Sequence, residues 1–274
     1  MELPSNFSNL LHDYPQLYDH VIPDPEQAMG RFLHGLLEQF APGPRLLDVG
    51  CGLGREIAYL QTQGYQPIGI DSSAAMIAWA SQRNPSLRFV QASQQTFALD
   101  CAFDAIICVG STLLYNLTNA ELLGTLRRFR QHLVEGGVLV LDMRNAAFFL
   151  TEAGQRWLRQ EHREETKLAN GTLVGLTRFD ITPSTQLLER YYTWLFPDQP
   201  ALHEHLQHRL LFPQELGLLL QLAGFGVEVM FDEPAPHIGA FTSDWTFGQS
   251  LFGRRLQVVA RALAPSEQGA TAWS

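Results

Sequence analysis

The chain has 274 residues, 46% of them hydrophobic and 17% charged, with a formal net charge of −9. That size suits one large domain, or one domain carrying an inserted lobe, and the acidic balance excludes a general nucleic-acid binder, which needs a basic surface to meet phosphates. The 3 cysteines lack metal-ligand spacing, and no apolar run approaches the ~18 residues of a membrane span, so the expectation is a reduced, cytoplasmic protein with no membrane partner and no metal.

Residues 1–25 look irregular, with Pro4, Pro15, Pro23 and Pro25 among the aromatics Phe7, Tyr14 and Tyr18. From Glu26 the apolar positions Met29, Phe32, Leu33, Leu36, Leu37 and Phe40 follow a helical period. Ala41-Pro42-Gly43-Pro44 stops that helix. The stretch Leu46 to Arg55 then reads as strand, tight glycine turn and helix, because a short apolar run ends in Asp48 and three glycines, Gly50, Gly52 and Gly54, sit on alternate positions. A helix start of this kind offers free N–H groups and a positive dipole end to a nucleotide. The dinucleotide fingerprint G-x-G-x-x-G fails here, since its third glycine falls on Arg55.

The pattern D-x-G-x-G-x-G over Asp48–Gly54 instead resembles motif I of the class I S-adenosyl-L-methionine-dependent methyltransferases. That resemblance implies a Rossmann-like, mostly parallel seven-stranded sheet with S-adenosyl-L-methionine as cofactor and S-adenosyl-L-homocysteine as product. It also implies that Asp48, Gly50, Gly52 and Gly54 hold the methionine portion. Tyr18-Asp19 stands where many small-molecule members carry a Tyr-Asp pair in a segment that folds over the cofactor, so Tyr18 is a cofactor and catalytic candidate.

Further along, Pro67 to Asp71 is a buried strand ending in an acid. An acid there can accept hydrogen bonds from ribose hydroxyls, and Ser72-Ser73 caps the next helix. The resemblance adds Met76 as an adenine cover and Ser72 as a further cofactor-binding candidate. Leu87 to Gln91 is a third strand, after which the family often has an acid for the adenine amino group. Here Ser93, followed by Gln94 and Gln95, must serve, and a hydroxyl or amide can accept that bond. Phe103 to Gly110 is a fourth strand resembling motif IV, whose end at Val109 and the following Ser111 to Asn116 would line the gap between cofactor and acceptor. Thr118-x-x-Glu121 is a capping box. Its helix is expected to end at Gly136-Gly137, before a fifth strand over Val138 to Met143.

After Arg144 the pattern changes. Residues to about 160 look helical, and then β-type stretches at 172–182, 187–196 and 202–211 are punctuated by Asn170-Gly171, Pro183-Ser184 and Pro197–Pro200. This is an antiparallel excursion of about 3 or 4 strands, a substrate lobe inserted after the fifth strand. Pro213 opens another helix, Gly224 ends it, and Phe225–Phe231 is a sixth strand. An aromatic loop with His237, Phe241, Trp245 and Phe247 leads to a last strand, Leu256–Ala262. The expected domains are residues 1–40 as lid and helix, 41–146 with 212–264 as the cofactor domain, 147–211 as the lobe, and 265–274 as a tail.

Methyl transfer needs alignment and exclusion of water more than a protein nucleophile. Tyr18, Tyr115 and His208 are candidate proton acceptors, and Arg144 and Arg209 candidate anchors for an anionic group on the substrate. His203 and His205 share a strand face without a third ligand, which favours a solvated face over a metal site. The expected activity is methyl transfer to a small-molecule amine, resembling the amino-sugar and small-amine N-methyltransferases. The alternatives are an O- or C-methyltransferase of a natural product or quinone-like compound, and a binding protein that holds the cofactor without chemistry. The open edge of the lobe also admits a homodimer.

Overall fold

A computed structural model describes residues 7–236 and 246–264. His237, Phe241, Trp245 and the tail 265–274 lie outside the described residues. Seven strands form one sheet: β1 (Arg45–Val49), β2 (Gln66–Asp71), β3 (Arg88–Gln91), β4 (Phe103–Cys108), β5 (Leu133–Arg144), β10 (Phe225–Phe231) and β11 (Arg255–Ala262). Their order is β10-β11-β5-β4-β1-β2-β3. Strands β1 to β5 pair in parallel, while β11 pairs antiparallel with both β5 and β10. The expected Rossmann-like sheet is therefore present. The strand order reverses between β1 and β4, and the carboxyl ends of parallel strands open a crevice at such a point.

Alternation along the strands explains the two cores. Leu46, Ala105 and Ile107 face a layer built by α3 (Ala28–Phe40) and α4 (Arg55–Thr62), where Phe32, Leu36, Ile57 and Leu60 are fully buried. Leu47, Ile106 and Cys108 face the opposite layer of α6 (Asn119–His132) and α8 (Pro213–Leu222). Each strand reads as a continuous apolar run because helices cover both of its faces. The capping expectations hold: Ser73 accepts from the Met76 N–H ahead of α5 (Ala74–Arg83), Thr118 and Glu121 form the box at α6, and Pro213 occupies the first turn of α8.

The other sheet is antiparallel, with order β6-β7-β8-β9, comprising β6 (His162–Leu168), β7 (Gly171–Thr182), β8 (Leu187–Leu195) and β9 (Leu202–Arg209). It follows a 3-10 turn at Ala146–Leu150 and α7 (Glu152–Leu158). Trp157 of α7 lies on Phe179 of β7, ring centroids 4.0 Å apart.

Two local expectations are corrected. The helix before β5 ends at His132, not at Gly136-Gly137; β5 already begins at Leu133. The glycine pair sits in an irregularity where Phe103 faces Leu133 while Ala105 faces Val138. Gly136 takes φ +73° there, and a Cβ on Gly137 would come within 3.2 Å of the Asp104 carbonyl oxygen. The N-terminal segment is not irregular either. Asn9 caps α1 (Leu10–Asp13) by accepting from His12 N–H, and Pro15 starts α2 (Pro15–Val21). Leu10 and Leu17 bury their side chains against Leu173, Trp194 and Phe196 of the antiparallel sheet, which a reading of local pattern cannot show.

Candidate active site

A cavity of about 890 Å³ opens at the carboxyl ends of β1, β2 and β4, within the usual size of a small-molecule site. Its floor is the turn after β1. The amides of Gly50 and Cys51 donate to Ile70 O (2.8 and 3.0 Å), so the turn is tied to β2. Gly50 adopts φ +78°, and a Cβ there would overlap the Thr112 side chain. Gly54, also left-handed at φ +73°, does not line the cavity; a Cβ on it would meet the Phe89 ring at 2.8 Å. Its role is close packing of α4 on β3.

Asp48 lies beneath the turn, 1% exposed, and neither carboxylate oxygen has a hydrogen-bond partner. Burial, then the negative charges of Glu56 and Asp71, push its carboxyl well above the ordinary range. Asp71, at the end of β2, accepts from Gly52 N–H (3.0 Å) on one oxygen and from Ser73 N–H (2.8 Å) on the other. Both oxygens keep lone pairs for further donors. Ser72, Met76, Ser93 and Val109 also line the cavity. Gln94 does too, its amide fixed by donation to Thr112 O (2.9 Å).

The roof is the α1–α2 segment. Arg55, the residue that breaks the dinucleotide fingerprint, reaches back to hold it: its guanidinium donates to Asp19 Oδ1 (2.5 Å) and to Ile22 O (2.6 Å). Across the cavity, Leu10 N–H donates to Glu204 Oε1 of β9 at 2.7 Å. The aromatics Tyr18 and Tyr115 both border the space, as does Leu206 of β9. Burial, then the charge of Glu56, drives the Tyr18 hydroxyl up to about 12, so it remains a phenol and a hydrogen-bond donor at neutral pH. His12 stands between them, its ring centroid 6.2 Å from that of Tyr18 and 6.0 Å from that of Tyr115. The sequence reading passed over His12. Its only signal is its place two residues before the tyrosine–proline pair.

His208 is not in the cavity. It packs edge-on behind Tyr115, centroids 4.6 Å apart, and one ring nitrogen meets the Arg190 guanidinium at 2.5 Å. Burial and then the Arg190 charge hold its imidazole well below the usual value, hence neutral. Arg190 itself donates to Tyr192 Oη at 2.6 Å. Arg144, at the end of β5, has a guanidinium without a hydrogen bond to Nε, placed 5.6 Å from the Phe179 ring centroid. Burial, then the neighbouring Arg190 charge, lowers it to about 9. Arg209, the other proposed anchor, is consumed internally by Glu215 (2.5 Å), Asn119 (3.1 Å) and the Leu210 carbonyl. Ser111 is buried and holds Arg144 N–H at 3.1 Å, which fixes the end of β5 to the end of β4. His203 meets Thr193, His205 pairs with Glu189, and Glu204 is turned to the opposite face.

Among the described residues no helix is long and apolar enough to cross a membrane. The sequence profile described as "Methyltransferase domain" matches residues 19–228. A curated relative, the dTDP-3-amino-3,6-dideoxy-alpha-D-glucopyranose N,N-dimethyltransferase of Streptomyces fradiae, is 28% identical over 244 residues, covering 83% of this chain and 89% of that one. Among solved structures, a sugar N-methyltransferase from Streptoalloteichus superposes with a TM-score of 0.71 at 23% identity, over 96% of this chain and 98% of the other. An amino pentose methyltransferase from Micromonospora echinaspora, solved with S-adenosylmethionine bound, gives a TM-score of 0.71 at 20% identity, over 95% of this chain and all of that chain. A glycine turn over an orphaned acid, a second acid on the neighbouring strand, and a profile match across most of the chain together place this protein in the methyltransferase domain family, as an S-adenosylmethionine-dependent methyltransferase.

Proposed function

We propose that the protein methylates the amine nitrogen of a small polar acceptor of the amino-sugar type, one that carries an anionic group. The observation that carries the acceptor class is the kinship with the amino-sugar dimethyltransferase along nearly the whole chain. The polar rim of the cavity supports the reading, and Arg190 is close enough to His12 of the cavity wall for its charge to act there. The residues fit the cofactor. Asp48 offers two buried oxygens that lack donors, and a cation close by would lower the cost of ionising it. Gly52 lines the cavity with open space on the side where a side chain would stand.

When bound, S-adenosylmethionine supplies a methyl group activated by a positively charged sulfur. Asp48 and the glycine turn at Gly50 and Gly52 would hold the methionine portion, Asp71 the ribose, Met76 and Val109 the walls beside the base and the sulfur, and Ser93 with Gln94 the adenine. Tyr18 and Tyr115 would fix the acceptor with hydroxyl groups. The α1–α2 roof excludes water, and alignment of this kind can contribute about 7–11 kcal/mol at best. No side chain of the protein needs to form a covalent bond.

The test has two arms. Titration calorimetry with S-adenosylhomocysteine measures the cofactor site. Mass spectrometry then follows methyl gain on dTDP-3-amino-3,6-dideoxyglucose, on glycine, and on dTDP-glucose, which lacks the amine. Methyl gain on the amino sugar alone supports the proposal; gain on the hydroxyl-only sugar with none on the amines overturns it.

A further inference from the structure

We propose that His12 is the proton acceptor of the reaction, taking the proton that the acceptor nitrogen sheds when it is methylated. The inference rests on the amine reading above and adds the residue that completes it. The lone pair of the amine forms the new N–C bond as the C–S bond breaks, and the C–S bonding pair stays on sulfur, giving S-adenosylhomocysteine. As positive charge builds on the nitrogen in the transition state, its N–H bond breaks with the electron pair left on nitrogen, a bond forms between that proton and an imidazole nitrogen of His12, and the proton passes on to water. A second methylation of the same nitrogen requires this loss, because an ammonium has no lone pair.

Several observations single out His12. Its ring lines the cavity, and no hydrogen bond engages the ring among the described residues. Its backbone, by contrast, is fixed at both ends: the N–H donates to Asn9 Oδ1 (3.3 Å) and the carbonyl accepts from Ser73 Oγ (2.9 Å). An anchored backbone with an unengaged ring inside a ligand cavity is a poor use of a structural histidine. Three other candidates fail on different grounds. Tyr18 holds its proton to about 12. His208 sits outside the cavity against the Arg190 cation. Cys51 is buried, and its thiol is pushed well above its ordinary value.

The charged surroundings set the protonation of His12. Burial lowers its affinity for a proton; Asp71 of β2 raises it, Arg190 of β8 lowers it, and Asp13 of the same helix raises it, with a net downward shift. The neutral His208 and the carboxylate of Glu204 stand on β9, and the hydroxyls of Tyr18 and Tyr115 flank the ring. The imidazole is therefore neutral and receptive near pH 7. At acid pH a second cation would stand beside the sulfonium and repel it.

The experiment pairs turnover with a readout that needs no turnover. His12→Gln and His12→Ala are compared with wild type on dTDP-3-amino-3,6-dideoxyglucose. A general base is worth about 10²–10⁴-fold, so kcat is expected to fall at least 10²-fold while S-adenosylhomocysteine affinity stays within about threefold. Added imidazole should restore part of the His12→Ala activity. Independently, histidine ring NMR on the S-adenosylhomocysteine-bound protein should show a resonance titrating below 6.5 that is absent from His12→Gln. Retention of kcat within twofold, or a ring that titrates above 7, overturns the proposal. Should wild type methylate hydroxyls but no amine, the amine reading falls, and the ring titration still decides whether His12 is poised as an acceptor.

Discussion

Asp71→Ala is the perturbation that bears most directly on the cofactor site. In the free protein Asp71 already serves two backbone donors, Gly52 N–H and Ser73 N–H, and it is 9% exposed. Removing the carboxylate orphans both donors. Each orphan costs about 1–3 kcal/mol, reduced here because the cavity admits water, so a total near 2 kcal/mol is expected. At about 2–4 °C per kcal/mol for a chain of this size, the melting temperature should fall by about 4–8 °C. Binding loses a further two hydrogen bonds from ribose hydroxyls to an ionised acceptor, each about 1.5–3 kcal/mol. Taking the lower figures gives about 3 kcal/mol, or roughly 100-fold in Kd for S-adenosylhomocysteine. Asp71→Asn should do little better, because its NH2 would confront one of the two backbone N–H groups. Calorimetric titration of wild type and both variants, with unfolding of each free protein measured alongside, separates binding from folding. Equal affinities in all three would refute the assignment of Asp71 to the ribose.

Arg255 and Asp142 form a buried ion pair, 8% and 2% exposed, and Gly110 N–H also donates to Asp142 at 3.1 Å. Arg255→Met should cost about 3–5 kcal/mol by stranding that carboxylate, with partial recovery in the double variant with Asp142→Leu; urea unfolding checks it, and a loss below 1 kcal/mol would contradict the pairing. Asp48 has its folded-state carboxyl raised, so its contribution to stability is complete below its unfolded value near ~4 and is lost as pH rises through the folded value. Free wild type should therefore lose stability over that rise more steeply than Asp48→Asn, as thermal melts across pH would show. Binding of the cationic cofactor should also expel a proton, seen as a buffer-dependent heat in wild type and not in Asp48→Asn. Arg55→Ala removes the ion pair to Asp19 and the bond to Ile22, together about 1–2 kcal/mol. The release rate of S-adenosylhomocysteine in stopped-flow should rise about tenfold, and an unchanged rate would deny Arg55 its hold on the roof.

The parts of this fold legible in the sequence are those whose causes are local. Asp48 to Gly54 announces a strand, a left-handed turn and a helix because glycine adopts that backbone at least cost. Ser73, Thr118 with Glu121, and Pro213 mark helix starts through bonds to residues three positions away. The errors came where distant chain decides. Gly136-Gly137 looks like a helix stop, yet the apolar Leu133 is drawn into the sheet opposite Phe103, and the glycines become an irregularity within the strand. Leu10 and Leu17 lie on helices of 4 and 7 residues, too short to stand alone, which persist because Trp194 and Leu173 bury them. The grouping of His12, Tyr115, Arg190 and Arg144 joins four separate stretches of sequence. Only the register of β8 and β9 brings Arg190 to His208, and no local pattern encodes that register.

The lid over the cavity belongs to neither sheet alone. One side is fastened to the first crossover helix by Arg55, the other to the antiparallel sheet by Glu204 and the bed of Leu173 and Trp194. A displacement large enough to let spent cofactor out must loosen at least one of these fastenings, and the wall that borders the acceptor moves with it. Exchange of donor and grip on acceptor are thus mechanically tied.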